Sequence, residues 1–70
     1  MEVIYENGNT CIFYDAWGLF IRVLEPYHIY ELSFADFIRE IDIIPDKSPS
    51  WKQEIINRYA YKTGIFRDVA

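Results

Sequence analysis

The hydrophobic pattern of this chain changes period at Ser33, and this change limits the folds that the chain can adopt. Before Ser33, short runs rich in Val, Ile, Tyr and Phe alternate with turn residues, which is typical of β-strands. After Ser33, apolar residues recur at the i, i+3, i+4 and i+7 spacing of an amphipathic helix, namely Phe34, Phe37, Ile38 and Ile41. Strands followed by helices predict the α+β class.

Four runs with strand character lie before Ser33, at residues 1–5, 10–14, 19–24 and 28–32. The dipeptide Asn7-Gly8 separates the first two runs and favours a two-residue type I′ turn, in which both residues have a positive φ. Pro26 lies between the last two runs and suits the first central position of a β-turn. The sequence therefore predicts a four-stranded antiparallel sheet made of two hairpins.

Both helices have start signals in the sequence. Ser33 is a good N-cap residue for the first helix, and Ser50 with Gln53 three residues later forms a capping box for the second. The second helix is expected over residues 51–62, with Gly64 placed to end it. We predict that both amphipathic helices pack on one face of the sheet.

A chain of 70 residues has room for one domain, so residues 1–70 are predicted to fold as a single domain. Cys11 is the only cysteine, which excludes an internal disulfide and favours a reducing compartment. Charged residues interrupt every apolar run well before the roughly 18 residues that a membrane span needs. No targeting segment is recognisable after Met1, and we expect a cytoplasmic protein that does not bind membranes.

Residues that catalysis or metal binding would need are scarce. His28 is the only histidine and Cys11 the only cysteine, and the predicted strand pairing puts them on opposite faces of the sheet. Structural zinc needs four Cys or His ligands, and the three glycines do not form a phosphate-binding loop. Asp36 and Glu40 lie one helical turn apart, but such carboxylates are far commoner on a solvated helix face than at a cation site. We therefore predict no enzymatic activity, no metal and no cofactor.

Side-chain alternation determines which residues share a face of the predicted sheet. A two-residue turn in the first hairpin pairs Ile4 with Cys11. The same register pairs Glu2 with Phe13, and the presence of Glu2 and Glu6 indicates that this is the outer face. The outer face of the first hairpin thus combines acidic with apolar side chains.

The second hairpin continues this outer face. Arg22 is expected opposite Glu31, an opposite-charge pair typical of a solvated face, and Leu24 is expected opposite Ile29. Phe20 falls on the same side by alternation. The outer face is then more apolar than a solvated surface usually is, and exposed apolar patches beyond a few hundred Å² mark protein contacts or ligand grooves.

We predict that this outer face binds a partner protein. The expected apolar centre consists of Phe13, Phe20, Leu24 and Ile29, with Arg22 and Glu31 setting the register and Glu2 and Glu6 at the rim. Aromatic residues make up 19% of the chain, more than so small an interior holds, and interfaces are rich in Tyr and Trp. The expected function is that of a small acidic inhibitor or regulator, of the kind that phages and mobile elements use against host defence or regulatory proteins.

Two other functions remain open. In the first, the outer face or an unpaired strand edge contacts a second copy of the chain about a two-fold axis, giving a homodimer or larger homo-oligomer. In the second, the basic residues of the second helix bind nucleic acid, with aromatic rings beside them as stacking platforms. Residues 47–70 carry a net charge of +3, but residues 1–46 carry −7 and the isoelectric point lies near 4.7. Nucleic acid is therefore the less favoured partner.

Overall fold

Four strands and two helices follow one another in the order that the change of period predicts. The structure is a computed structural model, and it describes residues 1–24 and 28–63. The strands are β1 (Glu2–Glu6), β2 (Thr10–Asp15), β3 (Gly18–Val23) and β4 (His28–Leu32), and the helices are α1 (Phe34–Asp42) and α2 (Pro49–Lys62). The predicted turn at Pro26 and the predicted helix end at Gly64 lie outside the described residues.

The chain divides into two compact units, one with the four strands and one with the two helices. In the first unit the strands follow the order β1-β2-β3-β4, and each neighbouring pair is antiparallel. Short loops bring consecutive strands together in this way, because a reversal of the chain needs few residues. The predicted α+β class, with a four-stranded antiparallel sheet followed by two helices, is confirmed.

The turn between β1 and β2 differs from the predicted two-residue type I′ turn. The Oδ1 atom of Asn7 accepts hydrogen bonds from the backbone N–H groups of Asn9 and Thr10, each 2.9 Å long. The backbone N–H of Asn7 donates to the carbonyl oxygen of Thr10 at 2.9 Å. Among the described residues only Gly18 has a positive φ, so Gly8 lacks the conformation that a type I′ turn requires. The side chain of Asn7 therefore closes a loop that is wider than the predicted turn.

A β-bulge changes the register of the first hairpin. The observed pairs are Glu6 with Cys11, Tyr5 with Ile12, Val3 with Phe13, and Glu2 with Tyr14. Ile4 is the extra residue, and an extra residue reverses the side-chain alternation beyond it. The predicted pairs of Ile4 with Cys11 and of Glu2 with Phe13 are wrong, and Glu2 lies on the face opposite to Phe13.

The second hairpin keeps its predicted faces but not its predicted pairs. The observed pairs include Val23 with His28, Arg22 with Ile29, and Phe20 with Glu31. Each differs from the predicted register by two residues. Because side chains alternate with a period of two, a shift of two leaves every residue on its face. The predicted pairing of Arg22 with Glu31 is wrong, although both residues share one face with Ile29.

A two-residue loop joins β2 to β3, and Gly18 at its end has a φ of 127°. Residues with a Cβ rarely adopt this backbone conformation. We expect Gly18→Ala to lower the free energy of unfolding by about 1–3 kcal/mol, measured by urea denaturation. Gly8→Ala is the matched control, because no atom lies within 4 Å of the added Cβ and the φ of Gly8 is not positive. Equal losses in the two variants would contradict this argument.

The helical unit is packed around side chains from both helices. Phe37 of α1 and Tyr59 of α2 are 0% and 1% exposed, and their ring centroids are 5.7 Å apart. Ile41, one helical turn after Phe37, is also buried, as are Ile55 and Ala60 on α2. The burial of Phe37 and Ile41 on one side of α1 confirms the amphipathic pattern.

The second helix begins two residues earlier than predicted. The Oγ atom of Ser48 accepts a hydrogen bond from the backbone N–H of Trp51 at 3.1 Å and acts as the N-cap. Pro49 lies in the first helical turn, where its missing N–H has no intrahelical partner to lose and its fixed φ suits the helix. The predicted N-cap at Ser50 is therefore wrong.

Candidate protein-binding face of the sheet

Two rows of side chains cross the four strands on one side of the sheet. The first row consists of Glu6, Cys11, Arg22 and Ile29, and the second of Val3, Phe13, Phe20 and Glu31. We call these eight residues the Phe13 face. It includes six of the residues predicted to bind a partner, and it lacks Glu2 and Leu24.

The second row provides an apolar floor. The rings of Phe13 and Phe20 stack with their centroids 5.7 Å apart and their planes 19° from parallel. Together with Met1, Asp15 and Ile29, the two rings line a groove of about 280 Å³. A groove with an aromatic floor and a carboxylate among its lining residues suits an apolar side chain that has a positive charge beside it.

An ion pair crosses the central strand in the first row. Nη2 of Arg22 lies 3.2 Å from Oε2 of Glu6, although Cys11 stands between the two residues in the row. The two charged side chains are 34% and 56% exposed, and such pairs contribute about 1 kcal/mol or less. Burial, and secondly the negative charge of Glu6, raise the pKa of the Cys11 thiol above its ordinary value, and Arg22 offsets only part of this. The thiol is therefore protonated at neutral pH.

Exposure across the Phe13 face increases toward the edges of the sheet. Cys11 and Phe13 in the central strand β2 are 4% and 8% exposed, whereas Val3 on β1 is 49% and Ile29 on β4 is 59% exposed. Both β2 side chains were expected on an open outer surface, and both are buried. The apolar area that solvent reaches comes from Val3, Ile29 and the half-buried Phe20.

Three of the residues predicted to bind a partner, namely Glu31, Glu2 and Leu24, do not have the expected positions. Arg22 pairs with Glu6, so Glu31 is not its partner and lies exposed on β4. Glu2 lies on the opposite face because the bulge reverses the alternation of β1. Leu24 follows the end of β3 and is 36% exposed.

Sequence reasoning missed three residues at or near the groove. Met1 and Asp15 line it, and Trp17, which is 80% exposed, lies in the loop that follows Asp15. The sequence indicated the position of Asp15, because Asp15 comes two residues after Phe13 and alternation puts both side chains on one face. It did not indicate that of Met1, since the position of Met1 follows from the bulge. Trp17 could have been noticed as a large aromatic residue in a two-residue loop, because such residues are enriched in protein interfaces.

Cationic side chains around α2 contact neighbours within the helical unit. Nζ of Lys47 lies 5.2 Å from the centre of the Trp51 ring, and Nζ of Lys52 donates to the carbonyl oxygen of Asp42 at 2.7 Å. Tyr59, an aromatic residue between the basic residues Arg58 and Lys62, is 1% exposed and cannot offer its ring for stacking. These contacts do not favour α2 as a surface for nucleic acid.

Two further kinds of feature, metal-binding clusters and membrane-spanning helices, were sought in the described part of the chain. No group of three His, Cys, Asp or Glu side chains lies close enough together there to hold a metal ion. In residues 1–24 and 28–63, no helix has the length and apolar character that crossing a membrane requires.

Compared with known proteins, the sequence matches no family model, no curated protein and no solved structure.

Proposed function

We propose that this chain is a non-enzymatic protein-interaction module that binds a partner protein through the Phe13 face. The observation that carries the proposal is the groove of about 280 Å³ lined by the stacked rings of Phe13 and Phe20. Protein interfaces typically combine an apolar pocket that a partner side chain fills with a polar rim around it. The groove provides such a pocket, and the exposed charges of the face provide such a rim.

Charges around the groove define the chemistry of the partner. Asp15 lines the groove, and Glu31 is exposed next to Phe20 in the second row. Residues 1–33, which make up the unit with the sheet, carry a net charge of −4 with His28 neutral, and this charge attracts a positively charged surface at long range. The complementary partner inserts a Leu, Met or Phe side chain and has Lys or Arg beside it.

Occupying a surface of the partner is the mode of action that fits a chain of this size. A standard interface covers about 800 Å² on each protein, which is a substantial part of the surface of a chain of 70 residues. Binding of this kind makes the chain an inhibitor or regulator. By analogy with small acidic proteins of phages and mobile elements, the proposed partner is a host defence or regulatory protein.

The test begins with capture of partner proteins from a lysate and continues as a titration with the purified partner. Phe20→Asp puts a charge over the apolar floor, and we expect at least about a 30-fold loss of affinity, as for other central interface side chains. Val23→Asp is the matched control, because Val23 is also half-buried on β3 but faces the other side of the sheet. Equal affinities of the two variants would contradict the proposal.

Asp15→Asn provides a second variant that does not disturb the apolar floor. Oδ1 of Asp15 accepts a hydrogen bond from the backbone N–H of Ala16 at 2.7 Å, and asparagine keeps this acceptor while removing the charge. We expect a several-fold loss of affinity that becomes smaller at high salt, where charge attraction is screened. Affinity that is unchanged at low salt would rule out a cationic partner group at Asp15.

A further inference from the structure

The two edge strands of the sheet, β1 and β4, differ in how well they are protected against pairing with a strand of another chain. β1 is interrupted by the bulge at Ile4 and carries Glu2 and Glu6, features that discourage pairing with another strand. β4 is regular over its five residues, and its Ile29 and Tyr30 are 59% and 51% exposed. In the part of the chain that the structure describes, β4 has β3 as its one neighbouring strand. Within residues 1–24 and 28–63, no strand pairs with the outer edge of β4.

We propose that β4 pairs in antiparallel fashion with β4 of a second copy of this chain, about a two-fold axis at Tyr30. An axis perpendicular to the sheet keeps the Phe13 faces of both copies on the same side. Two residues that oppose each other across the seam must then have their side chains on the same face. Because side chains alternate, this holds only when the axis passes midway between the two copies of one residue. Tyr30 is the middle residue of β4, so an axis there aligns the whole of both strands.

Charge complementarity selects the same register. With the axis at Tyr30, Ile29 lies opposite Glu31 of the second copy, and that glutamate extends the row that contains Arg22. Arg22 is then separated from the second Glu31 by one strand, just as it is separated from Glu6, and side chains bridge that spacing with a 3.2 Å ion pair in this chain. An axis at Glu31 would instead oppose two carboxylates, which is destabilising.

The other side of the seam is aromatic and aliphatic. Tyr30 meets Tyr30 of the second copy, and His28 meets Leu32 of the second copy. The rings of His28 and Tyr30 already lie 5.7 Å apart, so four rings from two chains form one cluster. The pairing covers exposed apolar area and supplies hydrogen-bond partners to the open edge.

The seam of this dimer follows β4, whereas the rings that form the floor of the groove lie on the inner strands β2 and β3. Of the residues that line the groove, Ile29 belongs to the seam strand itself. Two grooves then face the same side of one continuous sheet. A partner with two equivalent binding segments would gain affinity from engaging both grooves at once. The dimer itself does not depend on the proposed partner.

Disulfide formation by Tyr30→Cys under mild oxidation tests the position of the axis. Opposed Cα atoms in antiparallel strands lie about 4.5–5.5 Å apart, which a disulfide spans. His28→Cys is the control, since residue 28 opposes residue 32 and lies about 13 Å from its own counterpart along the strands. We expect linked dimers to form at least about tenfold faster for Tyr30→Cys, and equal rates would overturn the register.

Sedimentation equilibrium of the full chain tests the dimer and its charge complementarity. We expect the wild-type chain to sediment with twice the monomer mass of 8.4 kDa. Ile29→Lys puts an ammonium group opposite Glu31 and should keep the dimer, whereas Ile29→Asp puts a carboxylate there and should raise its dissociation constant at least about tenfold. A wild-type monomer at millimolar concentration, or equal weakening by both substitutions, would overturn the proposal.

Failure of the dimer is distinguishable from failure of the partner-binding proposal. A monomeric chain whose partner binding depends on Phe20 overturns the dimer and leaves partner binding intact. A dimer with the linkage at residue 30 supports the seam whether or not Phe20→Asp changes partner binding.

Discussion

Replacing Phe37 with alanine should lower the free energy of unfolding by about 3–5 kcal/mol. Phe37 is 0% exposed, and its ring lies 5.7 Å from that of Tyr59, where α1 contacts α2. The loss combines the transfer free energy of the buried ring with the cost of the cavity left behind. At about 0.05–0.15 kcal/mol per residue the stability of a chain of 70 residues is about 4–10 kcal/mol, so this single substitution would remove a large fraction of it.

Phe34→Ala is the matched control for this prediction. Phe34 belongs to the same helix and its ring lies 5.9 Å from that of Phe37, but it is half-buried. We expect it to cost about 1 kcal/mol, near the average for single substitutions. Urea denaturation followed by far-UV circular dichroism gives both values, and equal losses would contradict the central position of Phe37 in the helical unit.

Ile12→Ala should have the second largest effect, a loss of about 2–5 kcal/mol. Ile12 is 2% exposed in the central strand β2, on the side of the sheet opposite to Phe13. Its neighbours in the register are Tyr5 on β1 and Ile21 on β3. Because both neighbouring strands are paired with β2, they cannot easily move into the cavity that the alanine would leave. We therefore expect the loss of folding free energy to be high.

Ile29→Ala removes the same atoms from an exposed position. Ile29 lies on the edge strand β4 and is 59% exposed, so we expect a loss below about 1 kcal/mol. The measurement is made below the dissociation constant that sedimentation equilibrium gives, so that self-association does not contribute to the stability. A loss as large as that of Ile12→Ala would mean that Ile29 is packed in the folded chain.

Much of the fold could be predicted because it depends on local patterns. The change from a period of two to a helical period at Ser33 separates the sheet from the helices, and the structure has this order. Phe13, Phe20 and Ile29 share a face as expected, even though the predicted pairs of the second hairpin were shifted by two residues. A shift by an even number preserves the faces, so face membership is more robust than register.

Turn geometry and helix starts were harder to predict because several local solutions compete. Asn7 favours a type I′ turn when Gly8 follows it, but its side chain also closes a wider loop by accepting two backbone hydrogen bonds. Ser48 and Ser50 are both suitable N-caps, and the structure uses Ser48 because Pro49 fits the first helical turn. Such alternatives differ by small free energies, and the rest of the fold decides between them.

The sequence by itself determined the α+β class, the four strands, the two helices and most of the Phe13 face. These features follow from side-chain alternation and helical spacing, which are properties of the local backbone. Only the tertiary structure decided that Ile4 forms a bulge, that Arg22 pairs with Glu6, and that Met1 joins the groove. Each of these depends on how three strands align side by side, and pairing between strands is a non-local interaction that no single segment specifies.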